Sequence, residues 1–142
     1  MQNKQIELLV RAVIKVDGKI LVCHKKGKDY YFLPGGHVEF GESSEYALKR
    51  ELQEELDLKI KKCGYIGGSE HIFIEDGIRR HEINLAFETE VEKIKTESQE
   101  NHLQFFLLTP EQFEKEIVLP ASMQKAISQW FQDKKIFWVS EL

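Results

Sequence analysis

The chain has 142 residues, of which 42% are hydrophobic and 31% are charged, and its formal net charge is −4. This length and composition predict one domain, residues 1–142, with a sizeable core and little disorder. The acidic balance argues against a surface that binds duplex nucleic acid, and no apolar run reaches the ~18 residues of a membrane helix. The two cysteines are isolated and the start lacks signal-peptide architecture, so we expect a cytoplasmic location.

The first half of the chain predicts a hairpin, a short strand and one helix. Residues 7–16 and 19–24 read as strands around the turn signal Asp17-Gly18, and residues 30–33 as a third strand. Pro34-Gly35-Gly36 is expected to form a loop, because these residues do not continue a strand. Residues 45–56 are almost all good helix formers and predict a helix.

The second half predicts more strands and two further helices. Residues 59–66 read as extended, and residues 71–75 and 78–90 as a hairpin around Asp76-Gly77. Residues 103–108 and 136–139 read as strands, and residues 111–115 as a short helix after Pro110. An amphipathic helix follows from the spacing of Met123, Ala126, Ile127, Trp130 and Phe131. These elements predict a mixed α/β fold with helices on both faces of a sheet.

The strand over residues 78–90 alternates between two side-chain faces, which indicates that one face is polar. The more apolar face would carry His81, Ile83, Leu85 and Phe87, and the polar face Glu82, Asn84, Ala86 and Glu88.

The predicted helix over residues 45–56 carries two different stripes at about 100° per residue. One consists of Leu48, Leu52 and Leu56, which should face a core, and the other of Glu51, Glu54 and Glu55. Carboxylates ~6 Å apart at an effective dielectric of ~20 repel by about 3 kcal/mol per pair. A hard divalent cation removes that repulsion, and all-oxygen ligands favour Mg²⁺ or Mn²⁺. The alternative for this stripe alone is an ordinary solvated acidic face.

Residues 36–58 read GHVEFGESSEYALKRELQEELDL, with Gly36, Glu42, Arg50, Glu51 and the pair Glu54-Glu55 in order. This spacing resembles the Nudix box, the signature of hydrolases that cut a nucleoside diphosphate linked to another moiety. The resemblance implies the Nudix fold, an α/β/α sandwich with a mixed β-sheet. Asp57 stands where the family has a glycine, so we expect a left-handed backbone there that affects stability rather than chemistry.

The resemblance also implies roles for individual residues of this segment. The metal ligands would be Glu51, Glu54 and Glu55, together with the carbonyl of Gly36. Arg50 would hold a glutamate in place, and Glu54 or Glu55 would act as the general base. A glutamate from a later loop joins the site in some family members, and here Glu100 is preferred over Glu97 for that role.

The substrate is expected to be a small nucleotide, such as a nucleoside triphosphate or a nucleotide sugar. Aromatic side chains at Tyr30, Tyr31, Phe32 and Phe73 are candidates for stacking on a base, although strand aromatics more often lie in a core. Other candidate contacts are His37, Glu39, Arg79, Glu82 and Asn84. The alternative function is a Nudix module that binds a nucleotide without cleaving it, but the three glutamates favour an enzyme. A monomer or a homodimer is expected.

Overall fold

The computed structural model describes residues 4–92 and 103–142. The first half of the chain contains β1 (Ile6–Val13), β2 (Lys15–Val16), β3 (Lys19–Lys25), β4 (Tyr31–Phe32), β5 (Gly35–His37) and α1 (Ser44–Leu56). The second half contains β6 (Ile60–Glu75), β7 (Ile78–Val91), β8 (Leu103–Leu108), α2 (Pro110–Lys115), β9 (Val118–Leu119), α3 (Ala121–Asp133) and β10 (Phe137–Ser140). No helix in these described ranges has both the length and the apolar character needed to cross a membrane.

The strands form two sheets rather than the one sheet expected from the sequence. The first sheet has the order β10-β6-β7-β1-β5 and is mixed, because β1 runs parallel to β7 and β10 parallel to β6. The second sheet has the order β2-β3-β4-β9, with β8 paired to β3. The expectation of a mixed α/β fold with a mixed sheet is confirmed.

The core has two parts, which lie on opposite sides of the first sheet. Helix α1 packs its leucine stripe against Val10 and Ala12 of β1, and Leu48, Leu52 and Leu56 are at most 1% exposed. Val13 of β1 belongs to the other part, which contains these buried residues of α3: Met123, Ile127 and Trp130. Each fully buried leucine contributes roughly 1.5–3 kcal/mol, so this packing fixes the orientation of α1 and of its glutamates.

Two expectations from the sequence are wrong in detail. Residues 35–37 form a strand rather than a loop, because Gly35 pairs with Arg11 and its φ of 148° brings the backbone against the carbonyl of Val10. Residues 59–66 and 71–75 belong to one continuous strand, β6, which absorbs register shifts near Ile60 and Tyr65. On the face of β7 expected to be polar, Asn84 and Ala86 are both 0% exposed, whereas Glu88 is exposed.

The β6–β7 hairpin extends beyond the strands that flank it. Strand β10 pairs with β6 as far as Glu70, and β1 pairs with β7 from His81 onward. Beyond both of these neighbours, the β6–β7 pairs run from Phe73–Arg80 to Glu75–Ile78 at the tip. In the described part of the chain the tip is therefore a two-stranded ribbon.

Candidate active site

Helix α1 is fixed by hydrogen bonds at both ends. At its start the Ser43 hydroxyl accepts a hydrogen bond from the Tyr46 N–H at 3.1 Å. At its end Asp57 adopts the left-handed conformation, with φ 52° and ψ 39°, as expected from its place in the box. Its N–H donates to the Gln53 carbonyl at 3.1 Å, and the Leu58 N–H donates to the Leu52 carbonyl at 3.2 Å. The glutamates of α1 therefore have a defined position relative to the sheet.

Arg50 ties α1 to the loop that precedes it. Its Nε and Nη2 atoms donate to the two carboxylate oxygens of Glu42 at 2.7 and 2.9 Å, and Nη2 also donates to the His37 carbonyl at 3.0 Å. The Glu39 N–H donates to Glu42 at 2.8 Å, which closes the loop on itself. The hydrogen bonds from Arg50, followed by the one from Glu39, lower the pKa of Glu42 to about 2. Glu42 is thus an ionised structural anchor for the loop.

The same arginine also contacts the acidic stripe of α1. Its Nη1 atom donates to Glu51 at 2.9 Å and lies 3.5 Å from a carboxylate oxygen of Glu54. Burial raises the pKa of Glu51, Arg50 opposes that effect, and the charge of Glu54 adds to it. The Glu51 side chain is 17% exposed and that of Glu54 is 58% exposed. Glu51 is therefore the carboxylate of this pair with more to gain from a nearby cation.

Strand β5 passes directly over the glutamates of α1. A Cβ atom at Gly36 would lie within 2.6 Å of both carboxylate oxygens of Glu51, so only glycine leaves room for that carboxylate. The Gly35 N–H faces Glu55, with 3.4 Å between the nitrogen and Oε1. Oxygen donors from Glu51 and Glu55 therefore lie against the backbone of β5.

The carboxylate oxygens of Glu51 and Glu55 suit a hard divalent cation, because such cations prefer oxygen ligands. Across residues 4–92 and 103–142, no three His, Cys, Asp or Glu side chains are already gathered into a metal centre. Arg50 is one reason why the glutamates of α1 are not gathered, since it binds both Glu51 and Glu54. A cation at the acidic stripe would have to compete with Arg50 for these two carboxylates.

A cavity of about 480 Å³ adjoins β1 at Arg11. Its described lining is Arg11, Tyr30, Phe32, His71, Ile72, Phe73, Glu75, Glu82, Leu119, Pro120, Ala121, Ser122 and Glu141. Arg11 connects the cavity to the box, because its Nη1 atom donates to the Leu33 carbonyl at 3.0 Å, just before Pro34.

The wall of the cavity combines stacked rings with a polar network. The rings of His71 and Phe73 stack with centroids 5.3 Å apart and planes at 23°. Arg11 Nε donates to the Asn84 side-chain oxygen at 3.0 Å, and Asn84 Nδ2 lies 3.4 Å from Glu82 Oε1. His71 Nε2 is 3.7 Å from the same Glu82 oxygen. This wall offers a flat apolar surface beside fixed donors and acceptors.

The residues expected to contact the substrate lie in different places in the structure. Glu82 lines the cavity, and Asn84 is buried behind it as the partner of Arg11. Tyr31 packs against the rings of His24 and Phe106, with centroid distances of 5.5 and 5.6 Å. Arg79 lines a smaller cavity of about 240 Å³.

The two box-loop candidates lie on the exposed side of the loop. His37 Nε2 is 2.9 Å from Glu7 Oε1, and the exposed Glu39 uses its backbone N–H to hold Glu42. Glu97 and Glu100 lie outside the described residues.

Two cavity residues, Arg11 and His71, are absent from the expectations drawn from the sequence. For Arg11 a signal exists, since it is the one charged residue in the otherwise apolar run of residues 8–14. A buried charge is costly unless it is paired, so such a residue marks a functional position more often than a packing one. His71 carries no comparable signal, because its place in the cavity depends on pairing between distant strands.

Comparison with known proteins agrees with this geometry. A family model described as the NUDIX domain matches residues 7–132, and the chain belongs to the Nudix family. It is 39% identical over 61 residues to an ADP-ribose pyrophosphatase of Methanocaldococcus jannaschii, a match that covers 41% of this chain and 36% of the relative. The chain thus spans about a third of the length of that curated relative.

Solved structures with the same fold cover nearly the whole chain. The MutT protein of Bacillus halodurans superposes with a TM-score of 0.78 at 17% identity, covering 94% of this chain and 88% of the other. The ORF135 protein of E. coli superposes with a TM-score of 0.62 at 26% identity, covering 92% and 94%. The family and the Nudix fold expected from the sequence are confirmed.

Proposed function

We propose that this protein is a metal-dependent pyrophosphohydrolase that cleaves a small nucleotide in which a nucleoside diphosphate is linked to another moiety. The observation that carries the proposal is the packing of Glu51 and Glu55 against the glycine backbone of β5, beside a cavity of about 480 Å³. Nudix family members are pyrophosphatases, and the relative of M. jannaschii is named for that activity on ADP-ribose.

Nudix hydrolases generally use divalent metal ions. In this chain Glu51, Glu54, Glu55 and the Gly36 carbonyl would hold Mg²⁺ or Mn²⁺. When bound, the ion supplies charge neutralisation on the phosphates and a lower pKa for the attacking water. Arg50 would still hold the loop against the helix, because Glu42 and the His37 carbonyl remain its partners.

The proton of the attacking water needs an acceptor near the acidic stripe. Glu54 is the most exposed carboxylate in contact with Arg50, and Glu55 lies at the Gly35 N–H. These contacts support Glu54 and Glu55 as the two candidates for accepting the proton as the water attacks phosphorus. As the sequence suggests, Glu100 is proposed as the glutamate from a later loop that joins the site.

The cavity that Arg11 lines is suited to the group attached to the phosphates. Its stacked His71 and Phe73 rings provide a flat surface for a base or another planar group. Glu82, fixed through Asn84 and Arg11, provides an acceptor for its N–H groups. The phosphates then extend toward Gly36 and α1.

The test is a panel of nucleoside triphosphates, ADP-ribose and nucleotide sugars with Mg²⁺, assayed by phosphate release coupled to a phosphatase. We expect turnover of at least one substrate class, with loss of activity when EDTA is in excess. Undiminished turnover in EDTA would contradict the metal-dependent mechanism. Tight binding of several nucleotides without turnover, measured by calorimetry, would instead support the nucleotide-binding alternative.

A further inference from the structure

Arg11 is a cation at the junction between the box and the cavity. It lies in β1 between Val10 and Ala12, which are both fully buried, and it pairs in register with Gly35. Its guanidinium holds the carbonyl of Leu33 and also lines the cavity. The residue therefore touches both the segment that carries the box glycines and the space available to a ligand.

The donors of Arg11 are only partly used by the protein. Arginine carries five N–H donors in a planar fork. Nε donates to Asn84 and Nη1 donates to Leu33, whereas Nη2 has no hydrogen-bond partner within the described residues. Burial lowers the pKa of Arg11, and the carboxylates of Glu82 and Glu55 act in the opposite direction. An arginine remains protonated in such surroundings, so it presents a partly desolvated charge to the cavity.

Arg11 is the sole lysine or arginine among the described residues that line the cavity. The other charged groups there include the carboxylates of Glu75, Glu82 and Glu141, which repel anions. Arg50 cannot take the same role, because its donors are committed to carboxylates and to the His37 carbonyl. Among the described residues of the lining, Arg11 is therefore the permanently positive group available to an anionic ligand, and its bond to the Leu33 carbonyl places it next to the box.

We propose that Arg11 binds an anionic phosphate oxygen of the substrate at the point where the phosphates join the group held in the cavity. This role rests on the proposed function, since it assumes that the phosphates lie toward α1. A charge-assisted hydrogen bond from a fixed, partly buried guanidinium is directional and strong. Arg11 thereby sets which phosphorus lies over the glutamates and which part of the substrate enters the cavity.

The experiment measures metal-free binding of four common nucleosides and of their 5′-monophosphates by calorimetry, so it does not depend on hydrolysis. For the best-bound pair, the monophosphate should bind the unmodified protein at least about tenfold more tightly than the nucleoside. In Arg11→Met that ratio should fall to near one, because the monophosphate loses far more affinity than the nucleoside does. Lys19→Met, which removes a charge from an exposed position of β3, should leave the ratio unchanged.

Arg11→Lys provides the second variant, because it keeps the charge but loses the planar fork. It should give an intermediate ratio and should fold even if Arg11→Met does not. An unchanged ratio in either Arg11 variant would overturn the proposal, as would equal losses for nucleoside and monophosphate, which indicate a packing role. Absence of any binding at millimolar ligand would also overturn it. The hydrolysis panel decides the proposed function separately.

Discussion

Asp57 allows a quantitative test of how the box helix ends. It occupies the family's glycine position with φ 52° and ψ 39°, a conformation in which a Cβ atom is strained. Its carboxylate also lies at the negative end of the helix dipole. A hydrogen bond favours the aspartate, since Gln53 Nε2 donates to Asp57 Oδ1 at 2.6 Å. The change Asp57→Gly removes all three effects together.

The expected gain in the free energy of unfolding is the balance of these effects. Relief of the left-handed strain contributes about 1–2 kcal/mol, toward the lower end for aspartate. Removal of the opposing charge adds about 0.3 kcal/mol at an exposed helix end. Loss of the Gln53 hydrogen bond and the greater freedom of glycine in the unfolded chain each cost about 0.5 kcal/mol. With the strain taken at about 1–1.5 kcal/mol, Asp57→Gly should therefore stabilise the protein by about 0.3–0.8 kcal/mol.

The assay is urea unfolding combined with thermal melting, in which the change corresponds to roughly 1–3 °C for a chain of this size. Asp57→Asn is the matched control, because asparagine also tolerates the left-handed conformation but carries no charge. Asp57→Asn should give only the part of the stability gain that comes from removing the charge at the helix end. A loss of stability in Asp57→Gly would refute the strain argument, and a large change in catalytic rate would place Asp57 in the site.

Three further predictions concern the box. Glu54→Gln and Glu55→Gln should each lower the rate by orders of magnitude with intact folding by circular dichroism, whereas Glu45→Gln should match the unmodified protein; equal losses at all three would contradict the helical placement. Gly36→Ala should displace the Glu51 carboxylate and lower the rate at least about tenfold. The melting temperature should be nearly unchanged, because the added methyl group meets only the end of the Glu51 side chain, which can move. Glu42 has its pKa lowered from 4.5 to about 2, so its stabilising effect is present above about pH 4.5 and disappears as pH falls toward 2. Unfolding midpoints of Glu42→Gln should therefore depend less on pH across that interval, and an identical acid dependence would count against the Arg50 anchor.

The sequence predicts most of what depends on local chemistry. Helix α1, its leucine stripe and the hairpin turns at Asp17 and Asp76 follow from spacing and from turn residues. Strand β5 does not, because a glycine segment becomes a strand only when β1 supplies its partner. The pairing energy comes from a segment more than twenty residues away, which no local pattern reports.

The candidate site also has a part that the sequence predicts and a part that it does not. The acidic stripe lies within one helix and is fixed by a period of 3.6 residues. The cavity is assembled from β1, β4, β6, β7 and the start of α3, so its members are scattered along the chain. Tyr31 and Phe32 are neighbours in β4, yet only Phe32 lines the cavity, since successive strand residues face opposite sides.

The ribbon at the tip of β6 and β7 has a consequence for the range of molecules that this site accepts. Phe73 and Glu75 belong to that ribbon, whereas Arg11 and Glu82 lie in the region where β1 and β7 pair, and His71 is the partner of Glu82 there. A two-stranded hairpin is held by fewer neighbours than a strand inside a sheet, so it yields at lower energetic cost. One side of the cavity thus adjusts to the outline of its occupant while the other keeps its polar groups in place. Groups of different outline should be accommodated with similar affinity, whereas displacement of the phosphates by a single bond length should not be tolerated.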